Sequence, residues 1–157
     1  MDPLYAWLKA AHVFGVVLFL GNIIVTGWWK AMADRHGDPM VIAFAQRQVT
    51  LTDFVFTAGG IVILLASGIA NAEIHGMDYL SIPWMAWSFW LFVASGVIWA
   101  AVLIPVQVAQ ARLAQMFARG EAIPARYWQL NRMWMVFGLA ATVLPTAALV
   151  FMVVKPG

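Results

Sequence analysis

Cysteine is absent from the 157-residue chain, which removes disulfides, thiolate-bound zinc, iron–sulfur clusters and thiol nucleophiles from consideration. Charge is nearly as scarce. Asp, Glu, Lys and Arg make up 10% of the residues against 64% hydrophobic, and the mean hydropathy is +0.84, whereas an ordinary soluble domain carries about 25% charged residues. The first apolar segment has no basic stretch before it and no A-x-A cleavage pattern after it, so it is expected to be retained structure rather than a signal peptide. No basic stripe interleaved with aromatics lies outside the apolar segments, which argues against nucleic acid as a partner. A nucleophile paired with a base, a phosphate loop and closely spaced carboxylates are likewise missing, so hydrolysis and phosphoryl transfer have no support. The expected spans contain no Asp or Glu, which argues against proton pumping.

What remains is a single integral membrane domain, 1–157, whose partner is the lipid bilayer. Four apolar stretches are long enough to cross it, at about 5–29, 54–72, 84–107 and 133–154. Helix punctuation separates them: a polar loop after Trp29 with Gly37 and then Asp38-Pro39 as an N-cap and first-turn proline, Pro83 at the start of the third helix, Gly120 as its stop, and Pro124 opening the fourth. Two prolines lie within helices. Pro105 frees the carbonyl of Ala101, and Pro145 frees that of Ala141. The fold class is therefore all-α, an antiparallel four-transmembrane-helix bundle with helices two to four extended on the cytoplasmic side. Lys30, Arg35, Arg47, Arg112, Arg119, Arg126 and Arg132 gather at the end holding the first and third connections. This places both termini outside the cytoplasm of a bacterial inner membrane.

The first span carries the candidate chemistry. His12, Gly15, Phe19, Asn22, Thr26 and Trp29 fall within about a 100° arc of one helix face. His75, in the second connection, is expected on the same side of the membrane as His12. The two imidazoles could hold a b-type haem between them, with Gly15, Phe19 and Asn22 lining the pocket. His12 could instead donate to a carbonyl left free on a neighbouring helix, such as Ala141. His75-Gly76-Met77 with Met85 and Met152 could bind copper. His36 reads as a solvated loop residue. Asp53 is expected to form an ion-pair clasp with Lys30 or Arg132, the alternative being a site for an anionic headgroup or propionate. Asn22 and Thr26 divide between interhelical hydrogen bonds and a polar cavity. The Gly59-Gly60 pair and Ala66-Ser67-Gly68 suit close helix approach and make a homodimer or a larger membrane complex conceivable.

The stretches LKAAHVFG, GNIIVTGWWKAMADRHGDP, RQVTLTDFVFT, SGVIWAAVLIPVQ, Arg132-x-Trp134 and MVVKP together resemble a bacterial family of predicted integral membrane proteins of unknown function. More distantly, LKAAHVFGVVLFLGN is similar to the first helix of four-helix protoporphyrinogen oxidases of the HemJ type and of CopD-type copper-resistance membrane domains. In the oxidases a first-helix histidine, at the position of His12 here, is implicated in haem binding and activity. They also use a lysine in a later helix, and spans two to four here have none, so haem binding is the part the resemblance implies. The reading is a b-type haem-binding membrane protein in redox or electron transfer. Its alternatives are an accessory or assembly subunit without cofactor, and copper handling.

Overall fold

A computed structural model describes residues 2–156 and consists of four long helices. They are α1 (Pro3–His36), α2 (Pro39–Ile74), α3 (Pro83–Phe117) and α4 (Ala125–Val154), each long and apolar enough to cross a membrane. There is no strand among the described residues. The chain is thus an all-α bundle of four membrane-crossing helices. Asp2, the α2–α3 connection and Lys155 lie at one end, here the terminal end. The two basic connections lie at the other, the basic end.

The ends follow local chemistry. Asp2 caps α1 by accepting from the Leu4 amide at 3.0 Å, and Pro3 follows it. Gly37 stops α1 with φ +81° and donates its N–H to the Ala33 carbonyl. Asp38 then caps α2, its Oδ1 accepting from Met40 at 2.7 Å and Val41 at 3.3 Å, ahead of Pro39. The expected polar loop after Trp29 is shorter than the sequence suggests. Residues up to His36 stay helical, because no breaker precedes Gly37 and because Lys30 and Ala33 are buried. Trp29 does not share the buried face; it is 58% exposed. The stripe runs instead through Gly15, Phe19, Thr26 and Lys30. Lys30 is eleven residues beyond Phe19, only about 20° off its azimuth, whereas Trp29 is about 80° away.

Two helices contain a π-turn, at Asp53–Thr57 in α2 and at Trp99–Leu103 in α3, where the Ala58 and Ile104 amides reach back five residues. The second immediately precedes Pro105, so the freed backbone is absorbed by a wider turn. Pro145 is treated differently. The Ala141 carbonyl it strips of a donor accepts the Ser95 hydroxyl of α3 at 2.7 Å, and two turns on, the Ala148 carbonyl accepts from Ser88 at 3.1 Å.

The helices associate as two hairpins. Between α1 and α2, Gly15 faces Gly60: a Cβ on Gly15 would lie 2.7 Å from the Leu64 amide nitrogen, and one on Gly60 would lie 2.8 Å from that of Phe19. Between α3 and α4 the serine bonds hold the contact. The two hairpins meet in the basic half, where Pro39–Thr52 packs on Ile104–Phe117. Towards the terminal end they diverge. Among the described residues, Pro83–Ile98 comes within 8 Å, Cα to Cα, of neither α1 nor Ala58–Ile74.

Gly15→Val and Gly60→Val should each lower stability by about 1–3 kcal/mol through overpacking. Gly21→Ala, where a Cβ meets nothing within 4 Å, should leave it level or slightly raised. Thermal unfolding in detergent checks this, and equal behaviour of the three variants would contradict the assigned crossing.

Candidate functional site

Close approach of α1 and α2 determines what His12 does. Its Nδ1 lies 2.8 Å from the Leu64 carbonyl of α2, and the ring fills the space a side chain at Gly68 would occupy, 2.9 Å from that position's Cβ. The expected partner, Ala141, is already bonded to Ser95; it belongs to the other hairpin. A carbonyl only accepts, so Nδ1 carries the proton. In the neutral ring Nε2 then bears the lone pair, and it has no hydrogen-bond partner among the described residues.

His75 is placed elsewhere. At the end of α2, its Nδ1 lies 2.9 Å from the Asn71 carbonyl and its Nε2 3.3 Å from Asp2 Oδ2, with the Tyr5 ring edge-on at 5.2 Å. Both partners accept, so a ring making both bonds has no lone pair to offer. It also lies seven residues past Gly68, about 10 Å along the helix. The structure does not bring the two histidines together. His36 ends α1 and is exposed. Among the described residues no three His, Asp or Glu side chains gather in a way that could hold a metal ion. Gly15 lies against the backbone of α2 rather than open space.

Phe19 and Asn22 belong to a deeper site. Asn22 donates to Thr57 Oγ1 at 2.9 Å and to Asp53 Oδ1 at 3.3 Å, and Thr57 donates to the same carboxyl oxygen at 2.9 Å. Thr26 donates to the Asn22 carbonyl at 2.6 Å. The structure corrects the expected clasp: Asp53 joins neither Lys30 nor Arg132. It sits level with Asn22, about 10 Å from Trp29 towards the middle of α1, so a carboxylate does occur within the apolar part of the bundle. The wide turn that begins at Asp53 positions it. Trp99 and Gln107 lie beside the same carboxyl, close enough to act on it as hydrogen-bonding groups. Asp53 and Thr57 line a cavity of about 290 Å³ where the hairpins diverge, with Phe19, Phe92, Trp99 and Trp134 around it. Phe19 and Phe92 meet edge-on across it at 5.6 Å.

Lys30 is 1% exposed and has a different partner set. It donates to Asp34 Oδ2 at 3.2 Å and to the Tyr127 hydroxyl at 2.9 Å, and Tyr127 donates to Asp34 Oδ1 at 3.1 Å. Its ammonium also lies over the Trp134 ring at 5.4 Å. This triad ties α1 to α4 near the basic end. Sequence reasoning placed Lys30 at the interface; the signal available was its eleven-residue spacing from Phe19.

Four membrane-crossing helices with polar groups buried between them define an integral membrane bundle. The family model of the predicted integral membrane proteins DUF2269 matches residues 6–156, and the chain belongs to that family. No curated protein and no solved structure matches it.

Lys30→Met should cost about 3–5 kcal/mol, the usual loss when one member of a buried pair is removed. Combining it with Asp34→Asn should recover part of that loss. Chemical unfolding of the two single variants and the double variant measures the coupling, and strictly additive losses would show that the triad is not a unit.

Proposed function

We propose that the protein binds a b-type haem between the hairpins, which His12 would hold through Nε2, and serves redox or electron transfer in the bacterial cytoplasmic membrane. The carrying observation is the bond from His12 Nδ1 to the Leu64 carbonyl. Metal-ligating histidines usually donate their second ring N–H to a carbonyl or carboxylate, which fixes the tautomer and aims the other nitrogen. His12 also lies seven residues before Phe19, within about 20° of its azimuth and about 10 Å nearer the terminal end. This directs it to the side on which the hairpins separate. Phe19 and Phe92 would floor such a pocket, and Gly68 leaves room for the ring that holds the ligand. A bound haem iron would supply one-electron transfer. The chain's part is to hold Nε2 deprotonated and to keep that face apolar. With His75 engaged by Asn71 and Asp2, the reading uses one histidine ligand from this chain. The distribution of Lys and Arg supports an orientation with the terminal end, and so the haem, on the non-cytoplasmic side.

Protein purified from haem-replete cells should show a Soret band that His12→Ala abolishes and His75→Ala leaves in place. Gly68→Val, which displaces the imidazole, should weaken haem retention by about 10–100-fold. Absorption spectra of the four proteins decide the matter: a colourless wild type, or a band unaffected by His12→Ala, overturns the assignment.

A further inference from the structure

Phe19 and Phe92 divide the space between the hairpins. The proposed haem position lies on the terminal side of that pair, and the cavity runs from it towards the basic end, past Ile24 and Gly27 of α1 and Leu139 and Met135 of α4. The polar groups of its wall are already engaged. Each hydroxyl donates within the fold: Thr26 to the Asn22 carbonyl, Thr57 to Asp53, Ser95 to the Ala141 carbonyl and Thr142 to the Gly138 carbonyl. The Trp99 and Trp134 nitrogens are closed off from it, and the Asp53 carboxyl is held by Asn22 and Thr57, with Trp99 and Gln107 beside it. A guest rich in polar groups would leave them unpaired in such a wall, at a desolvation cost that hydrocarbon does not incur. The volume, about 290 Å³, exceeds the roughly 150 Å³ of an apolar cavity that holds a benzene, so a stretch of acyl chain fits.

The rim is open to the bilayer and carries a charge at one end. Ile24 and Leu139 line the cavity from α1 and α4, yet they are 55% and 67% exposed, so the slot between these helices meets lipid. Arg132 lies seven residues before Leu139, within about 20° of its azimuth and about 10 Å nearer the basic end. It is exposed and joins neither ion pair found among the described residues. Lys30 touches both Tyr127 and Trp134, which sets this turn of α4 level with Lys30 and with the exposed Trp28 and Trp29. Tryptophans of that kind mark the head-group level of a membrane.

We propose that the slot between α1 and α4 holds one anionic phospholipid of the surrounding bilayer, with an acyl chain in the cavity and the phosphate on Arg132. In Arg132-x-Trp134 the tryptophan then walls the chain and the arginine holds the head. The site does not depend on the haem reading, and His12→Ala protein should bind the lipid as wild type does.

Detergent-purified protein is titrated with dioleoylphosphatidylglycerol or dioleoylphosphatidylcholine, and bound lipid is counted by native mass spectrometry. Wild type and His12→Ala should hold one phosphatidylglycerol with an affinity about fivefold or more above that for phosphatidylcholine, the worth of one basic side chain at an anionic lipid surface. Arg132→Gln should bring the two affinities together. Arg47→Gln removes the same charge from an exposed position outside the cavity wall and should leave the preference intact. Gly96 and Gly138 line the cavity from α3 and α4, and a Cβ on either meets nothing within 4 Å. Gly96→Leu and Gly138→Leu should therefore fill the space and weaken both lipids by about tenfold. Equal binding of the two lipids by wild type, an effect of Arg47→Gln as large as that of Arg132→Gln, or retention untouched by both leucine variants would overturn the proposal.

Discussion

The contact of Gly15 with Gly60 is the constraint on which the first hairpin depends. Lipid is as apolar as the side chains it touches, so helices in a membrane gain little from hiding leucine and must gain from close packing and hydrogen bonds. With no side chain at either glycine, the two backbones meet directly. Only then can short groups on α1 span the interface: the His12 ring to the Leu64 carbonyl, one turn beyond Gly60, and the Asn22 amide to Thr57 and Asp53 below it. These polar residues flank the crossing along one stripe of α1, and every one of those bonds needs the separation that the glycines set.

The second hairpin reaches the same end by another device. Pro145 leaves a carbonyl unpaired within α4, a costly state away from water, and a serine hydroxyl from α3 fills it. Each hairpin thus satisfies its own backbone. Along the terminal half Pro83–Ile98 keeps its backbone beyond 8 Å of α1 and of Ala58–Ile74, and the hairpins touch through side chains such as Phe19 and Phe92. Where they join, near the basic end, Ile42 and Val49 of α2 pack into apolar clusters with Leu103, Val106 and Phe117 of α3, and Lys30, Asp34 and Tyr127 add a buried polar tie. The bundle is thus tightest where apolar packing and a crossing ion pair coincide.

Much of this was legible in the sequence, for a reason particular to each part. Gly37, Asp38-Pro39 and Pro83 act through their immediate neighbours, so helix ends can be read locally. The freed carbonyl at Ala141 was also legible, since a proline removes a donor at a fixed offset. Its partner was not, because Ser95 is one of several hydroxyls on α3 and nothing local selects it. The π-turns left no mark in periodicity. One of them carries Asp53, which hydropathy sets at the edge of a span and tertiary contact sets beside Asn22. Lys30 was misjudged on the same ground: a basic residue following two tryptophans looks interfacial until its azimuth is compared with that of Phe19. Of the candidate site, the residues of α1 were legible as a face. The separation of His75 from His12, and the cavity between hairpins, depend on long-range packing.

The polar atoms left over after this internal pairing divide into two kinds. Gln46 is fully buried with neither end of its amide bonded, yet it does not line the cavity; buried amides of this sort call for water, at a cost of about 1–3 kcal/mol if they go without. The indole N–H groups of Trp99 and Trp134 differ in place: both residues line the cavity between the hairpins, yet their nitrogens are closed off from it. Asp53 is not among these leftover groups. Asn22 and Thr57 donate to its Oδ1, and Trp99 and Gln107 lie beside the carboxyl, so this acidic side chain in the apolar part of the bundle is held by groups of the fold itself.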